Sequence, residues 1–418
     1  MSIRDCILDK VKAGEMDGDR ANEALDLFDE LEAEAAKTMS GPDAEIQAGR
    51  KMAAILERNA KRKRANTLRQ ALIANAVRQR IENYRTSSGK ADPGSAAISV
   101  LSRDKHNRTG AVNVESRHKS VLGMAHAKAE AFLKEYRSKN VGLTRNKAGL
   151  KNVVRELFGT ETGDPAAKAA ALAWGDAAEY LRLRFNRGGG DIKKRVDWGM
   201  PQKHDQLAVG AVSRDEWMAF IKPRLDRTEI KDFRTGEPIS DFALEDLLTD
   251  TYETIRSGGL NRLKPGQGGR TRALANTHQE SRVLIFKDAD AWLEYQGRFG
   301  NPDLFETMNN YFDGMAMDIA RLEILGPNPA LMIQYMIDLV RKLPTGQGRK
   351  ARDGMFSAIN KIRLLDDDLT GRSKIPVNSA WARGFQGLRN VLNSALLGSA
   401  ALTAVTDLGF QRIARGFS

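Results

Sequence analysis

The chain has 418 residues, 29% of them charged and 6% aromatic, and carries a formal net charge of +12 at pH 7. That length accommodates roughly two or three domains, and the balance is that of a helix-rich protein with much exposed helix surface. One cysteine, Cys6, excludes a disulfide framework and a cysteine metal cluster, while the positive charge points to an anionic partner without fixing a fold.

The opening "MSIRDCILDK" lacks the long apolar run of a secretory signal. Residues 19–37 place Leu25, Phe28, Leu31 and Ala35 at helical spacing. "SGP" at 40–42 breaks this helix, and a second run extends from Asp43 to Tyr84 with Gly49 as its one interior glycine. Met52, Ile55, Leu68, Leu72, Ala76 and Ile81 keep an apolar stripe along it. A periodic run of this length reads as a coiled coil or projecting arm, so the pair is expected to form a helical hairpin. Residues 1–48 are acidic by about eight charges and residues 49–150 basic by about sixteen. The two can pair within the chain, pair between subunits, meet different partners, or simply be two solvated helix faces.

Residues 86–110 shift to Ser, Gly, Pro and Asp and read as a linker or surface loop. Helical regions follow at 116–158 and 165–187, the second closed by "NRGGGD". In "SRDEWMAFIKPRL", Ser213 with Glu216 three residues on predicts a capping box. "FRTGEPIS" reads as a turn, residues 241–255 as a helix, and "RSGGLNRLKPGQGGRTR" as a basic, glycine-rich loop. In and just before "FKDADAWLEYQGRFG" the pattern puts Ile285, Ala289, Trp292 and Phe299 on a buried seam and Asp288, Asp290 and Glu294 mainly off it, which predicts packing rather than an active site.

Two further helices follow. Asn301 and Asn328 each precede a proline and are expected to cap them, with Pro302 and Pro329 in the first turn. Gly300 and Gly326 fall where left-handed closures are expected. Phe305, Met308, Phe312, Met315, Ile319 and Leu322 form a continuous core seam. After Pro344, "TGQGRKARDG" reads as a basic loop, then a helix covers 355–365 and a small-residue helix begins near Trp381.

No catalytic set emerges. The five histidines are scattered, without the His-Glu-x-x-His arrangement of zinc proteases. "DDD" at 366–368 has oxygen ligands that suit a hard cation, but lacks the spacing and turn glycine of a calcium loop, so a solvated helix end is the reading. "NRGGGD" and "KPGQGGRTR" are the candidate phosphate loops, although neither matches a P-loop. No cofactor or metal site is expected, and the chain is read as non-enzymatic.

The candidate nucleic-acid contacts are Arg58, Lys61, Arg62, Lys63, Arg64 and Arg69 on the long helix. Lys264, Arg270 and Arg272, with Arg349 and Lys350, add basic loops. No aromatic interleaves the row on the long helix, so base stacking is not expected there. No clean span of about 20 apolar residues occurs. The nearest approach, residues 392–410, contains Leu396, Leu397, Leu402 and Val405 beside small residues, and Asp407 interrupts it. It reads as a core or oligomer helix, or in lipid as a membrane-active one.

The block from "ANTHQESRVLIFKDADAWLEYQGRFG" to "LGPNP" resembles a recurring segment of internal virion or ejection proteins of tailed phages and of related large polyvalent proteins. The matching positions are Arg282, Leu284, Phe286 to Ala289, Ala291, Trp292, Tyr295, Phe299, Gly300 and Gly326 to Pro329. The tail "LRNVLNSALLGSAALTAVTDLGF" looks like the helix that follows in that family, and the resemblance covers roughly residues 270–410. Members are often longer and carry enzymes such as lytic transglycosylases elsewhere; no match to one is seen in this sequence. The chain reads either as a shorter member or as the ordered part of a longer one, its abrupt end at "IARGFS" slightly favouring the second.

The resulting expectation is a mainly α, elongated multi-helix protein. Its parts are an N-terminal hairpin arm (1–88), a linker (89–115), a middle helical domain (116–268) and a C-terminal helical bundle (269–418). What the resemblance implies is a phage structural protein stored in the capsid near the portal and ejected with the genome into the host envelope. Its partners would be further copies in a ring-like homo-oligomer, other ejection or portal and tail proteins, the phage DNA backbone and the envelope membrane. Subunits of a ring would meet head to tail, with residues 19–84 as the expected contact. The alternatives are a non-specific nucleic-acid-binding accessory protein and a component of a peptidoglycan hydrolase.

Overall fold

The computed structural model describes residues 3–102, 112–136, 146–192, 194, 200–230, 238–257, 274–276, 284–343 and 349–370. The protein is mainly α. The N-terminal helices are α1 (Ile3–Lys12), α2 (Gly18–Ala36), α3 (Gly41–Asn83) and α4 (Pro93–Leu101). The middle contains α5 (Val114–Lys128), α6 (Glu130–Tyr136), α7 (Lys147–Leu157), α8 (Pro165–Arg187), α9 (Gln206–Gly210), α10 (Arg214–Ile221) and α11 (Asp241–Arg256). Then come α12 (Ala289–Phe299), α13 (Leu304–Leu325), α14 (Pro329–Lys342) and α15 (Arg349–Leu369). Among the described residues β-pairing is confined to isolated bridges. The chain divides into two compact units, Met1–Ile362 and Arg363–Ser418. In the second, the described part is the end of α15 and Thr370.

Among the described residues of the first unit, a smaller and a larger apolar core stand out. The smaller joins Ile7 of α1 and Phe28 and Leu31 of α2 to Ala48 and Met52 of α3. Ion pairs rim it: Arg4 meets Asp29 (2.7 Å) and Glu32 (2.5 Å), and Lys51 meets Glu34 (3.2 Å). The acidic helix therefore pairs in part with α1 and the beginning of α3, before the lysine–arginine run is reached.

The larger core collects α5–α13. Alanines on the inner face of α8 let its neighbours approach closely, and Trp174, Leu181 and Phe185 fill the remaining space. Trp174 stacks on Phe312 with ring centres 5.5 Å apart and lies 5.6 Å from Tyr311. All six residues of the Phe305–Leu322 seam are buried, as their three-and-four spacing requires. Capping fixes the registers: Asp164 accepts from the amides of Ala166 and Ala167 with Pro165 in the first turn, and Ser213 accepts from Glu216.

Several local expectations are corrected. The stretch read as a linker contains α4, whose Ala96, Ala97, Val100 and Leu101 are buried; its flanking Gly, Pro and Ser residues concealed a short core helix. The helical region expected over 116–158 contains three helices: α5 gives way to α6 at Ala129, and α7 starts at Lys147 under the cap of Asn146. Asn328 caps α14, but α13 is capped by Asp303, because Asn301 lies two residues too early and instead accepts from the Asp303 amide. Gly326 has φ +90°, whereas Gly300 is extended. A side chain at Gly300 would collide with Gln296 and with the Lys203 carbonyl, so close approach rather than handedness demands glycine there.

The turn between α7 and α8 carries a pH signature. Glu156 accepts from both the amide and the hydroxyl of Thr162 (2.7 Å each), chiefly the amide, and its carboxyl is held below the usual range. Asp164 is lowered too, first by the Ala167 amide. A depressed folded pKa stabilises above the unfolded value of about 4 and loses that effect as pH falls through the folded value. Thr162→Val is accordingly expected to move the Glu156 carboxyl titration, followed by NMR, upward toward the ordinary range.

Candidate nucleic-acid interface

Helix α3 owes its 43 residues to Ser40 at its N-cap position, Pro42 in its first turn and a scarcity of interior breakers. At 1.5 Å per residue it is about 65 Å long. Its first part packs through Ala44, Ala48 and Met52, and its last turns are held by Val77 and Ile81. Between them the helix is largely exposed, with Leu68 at 62% and Leu72 at 63%.

One polar strip docks this middle section. Gln70 Nε2 donates to the Leu325 carbonyl (3.0 Å), and its Oε1 accepts from the Asn328 amide (2.8 Å). A turn away, Asn66 Nδ2 donates to the Gly189 carbonyl (2.9 Å). Both receiving loops need glycine: Gly189 has φ +114°, and a side chain there would strike Asn66 and Arg69. "NRGGGD" is thus a docking loop for α3 rather than a phosphate cradle. Its amides turn back onto α8, Gly188 donating to the Arg184 carbonyl and Gly190 to that of Phe185, which is the geometry of a helix C-terminus.

The predicted basic residues separate into groups. Arg58 reaches Asp191 at 3.4 Å and Lys61 pairs with Glu57 at 2.6 Å. Arg69 belongs to the docking strip, 3.2 Å from Asn66 Oδ1, and Arg62 is half-buried. Lys63 and Arg64 are exposed and form no ion pair among the described residues. No carboxylate occurs between Arg58 and Ile81, so beyond the Lys61–Glu57 pair the helix supplies no compensating charge of its own to this surface. Arg349 and Lys350 start α15 rather than a loop and are exposed, Arg349 lying 3.9 Å from Asp353. Lys264, Arg270, Arg272, Leu396, Leu397, Leu402 and Val405 lie outside the described residues. Arg80, flanking the row, turns inward to the Val112 and Ser99 carbonyls, and burial lowers its pKa.

The fold adds a groove that sequence order does not reveal. It has a volume of about 890 Å³ and runs between α3 and α14. Asn59, Arg62, Lys63, Thr67, Ala71 and Ala74 line the α3 side. Pro327, Leu331, Met332 and Tyr335 line the other. Sequence reasoning missed Tyr335 because the aromatic in this wall comes from a helix far along the chain; its "NPALMIQYMIDLV" periodicity was legible, its neighbour was not.

The acidic and aromatic stretch at 286–300 is taken up by packing, capping and ion pairs. Trp292 and Tyr295 are fully buried. Asp288 caps α12 by accepting from the Ala291 amide (2.7 Å), while Asp290 and Glu294 pair with Arg155 and Arg224, each at 2.7 Å. Burial raises the Tyr295 pKa, and its hydroxyl lies 2.9 Å from His204 Nδ1. His118 and His126 join α5 to α13 through Asp313 (2.9 Å) and Asn309 (3.1 Å). Among the described residues no group of three or more His, Cys, Asp or Glu side chains could hold a metal ion, and no helix is long and apolar enough to cross a membrane.

The class these features define is a mainly α protein with a surface-mounted basic helix. No protein-family model, curated protein or solved structure matches the chain.

Proposed function

We propose that this chain is a non-enzymatic structural protein of the tailed-phage internal virion or ejection class, which travels with the genome and holds its phosphate backbone through α3. The observation that carries this reading is the exposed pair Lys63 and Arg64, on a helix clamped by Gln70 to the Gly326–Asn328 turn of the block that bears the phage-protein resemblance. Phosphate contacts of this kind are sequence-independent and release counterions, which suits a protein that must accept any stretch of a packaged genome. The engagement of Asp288, Asp290 and Glu294 as cap and ion-pair partners favours the non-enzymatic reading. Copies are proposed to meet head to tail through the α1–α3 region, as members of a ring; native mass spectrometry giving only monomer at every concentration would count against that.

The charge pair gives a direct test. Binding of the full chain to a labelled DNA duplex is expected to weaken linearly on a log–log plot against salt. Lys63→Gln/Arg64→Gln removes two phosphate contacts and should make that slope shallower by about 1.8. A slope unchanged in the double variant would remove these residues from the interface. The second reading, a nucleic-acid-binding accessory protein with no place in the virion, is favoured by the same pair and predicts the same slope; it parts from the first only in the absence of the protein from particles.

A further inference from the structure

The groove between α3 and α14 extends the phosphate-binding reading and rests on it. A continuous phosphate row needs only a charged, exposed helix face; the protein has in addition a concavity at that row, and its volume falls within the range of about 300–1,000 Å³ typical of small-molecule sites. Its two walls differ in chemistry. On the α3 side, Lys63 and Asn59 make no side-chain hydrogen bond or ion pair among the described residues, and Arg62 adds a further cation at the wall. On the α14 side, Tyr335 is half-buried beside Met332 and Leu331, and among the described residues its ring stacks on no other aromatic. A cation row along a backbone track with an aromatic face beside it is the arrangement by which proteins hold unpaired polynucleotide.

We infer that the groove takes single-stranded nucleic acid, an unstacked base lying against Tyr335 while the adjoining phosphates meet Lys63 and its neighbours. Charge complementarity selects this occupant: the wall from Arg58 to Ile81 has no carboxylate, so an anionic polymer is matched and a second copy of the same basic helix is repelled. Duplex DNA satisfies the cations but keeps its bases stacked and out of reach of the tyrosine, so the groove discriminates between the two forms. The site would engage frayed or opened ends of a genome in transit, with no dependence on base identity beyond stacking strength.

The test is fluorescence anisotropy with the full chain, a labelled oligo-dT and a duplex of the same length, at several salt concentrations. Tyr335→Ala should weaken single-strand binding about five- to one-hundred-fold while leaving duplex binding unchanged. Tyr335→Phe, which keeps the ring, should bind as the wild type does, and Lys63→Gln should weaken both forms. Unchanged single-strand affinity in Tyr335→Ala, or an equal loss for duplex, overturns the groove assignment while the backbone reading stands. Wild-type protein that binds neither form overturns both. Self-association that Tyr335→Ala abolishes, with DNA affinity untouched, would assign the groove to a second copy and overturn the proposal.

Discussion

Trp174→Ala is expected to lower the unfolding free energy by about 3–5 kcal/mol, the largest loss of any single change considered. The indole is fully buried on α8, stacked on Phe312 and adjacent to Tyr311, and its Nε1 donates to the Met308 carbonyl at 3.4 Å. Truncation removes the ring from the place where α8 and α13 meet, and leaves a cavity between helices whose backbones are fixed by several other contacts. The surrounding aromatics cannot collapse into it without leaving their own rotamers. A urea titration followed by near-ultraviolet circular dichroism measures the effect. Leu172→Ala provides the control: two residues away but 65% exposed, it should change stability by no more than about 0.5 kcal/mol. Equal effects of the two substitutions would contradict the placement of α8.

Gly326→Ala is expected to have the second largest effect, and of a different kind. The residue has φ +90° and ψ 178°, a region that is essentially glycine-only and costs other residues about 1–3 kcal/mol. A Cβ there would also lie 2.6 Å from Gln70 Oε1, the atom that accepts from the Asn328 amide. The substitution therefore strains the turn and pushes α3 away from it, at about 1 kcal/mol for each of the two hydrogen bonds lost. Hydrogen exchange should show faster exchange in α3 around residues 66–76, while the amides of α13 remain protected. Gln70→Ala removes the obstacle, so in its background Gly326→Ala should cost only the backbone strain. That non-additivity distinguishes a direct clash from two independent defects.

How far these features were legible depended on whether the signal was local. The start of α14 could be read because Asn-Pro places a cap and a first-turn proline together, although the same pair at 301–302 precedes the true cap of α13, and the Phe305–Leu322 seam could be read because its spacing admits one face only. α4 was concealed: "PGSAAISVL" is apolar and short, but the Ser, Gly and Asp residues around it dominated the composition. The glycines of "NRGGGD" were visible as glycines, yet their purpose depends on Asn66 and Arg69, which the fold brings in from α3. Likewise the basic row was evident in the sequence, whereas the aromatic wall beside it arises from Tyr335 on α14. Taken alone, α3 shows no aromatic beside its cations, and the tyrosine of the groove comes from a helix far along the chain.

The proposal that the protein accompanies a packaged genome is tested most directly by quantitative mass spectrometry of purified phage particles, before and after genome release. Several copies are expected in each full particle, and their loss from emptied ones. Absence of the protein from full particles would contradict it, and full retention after release would contradict ejection.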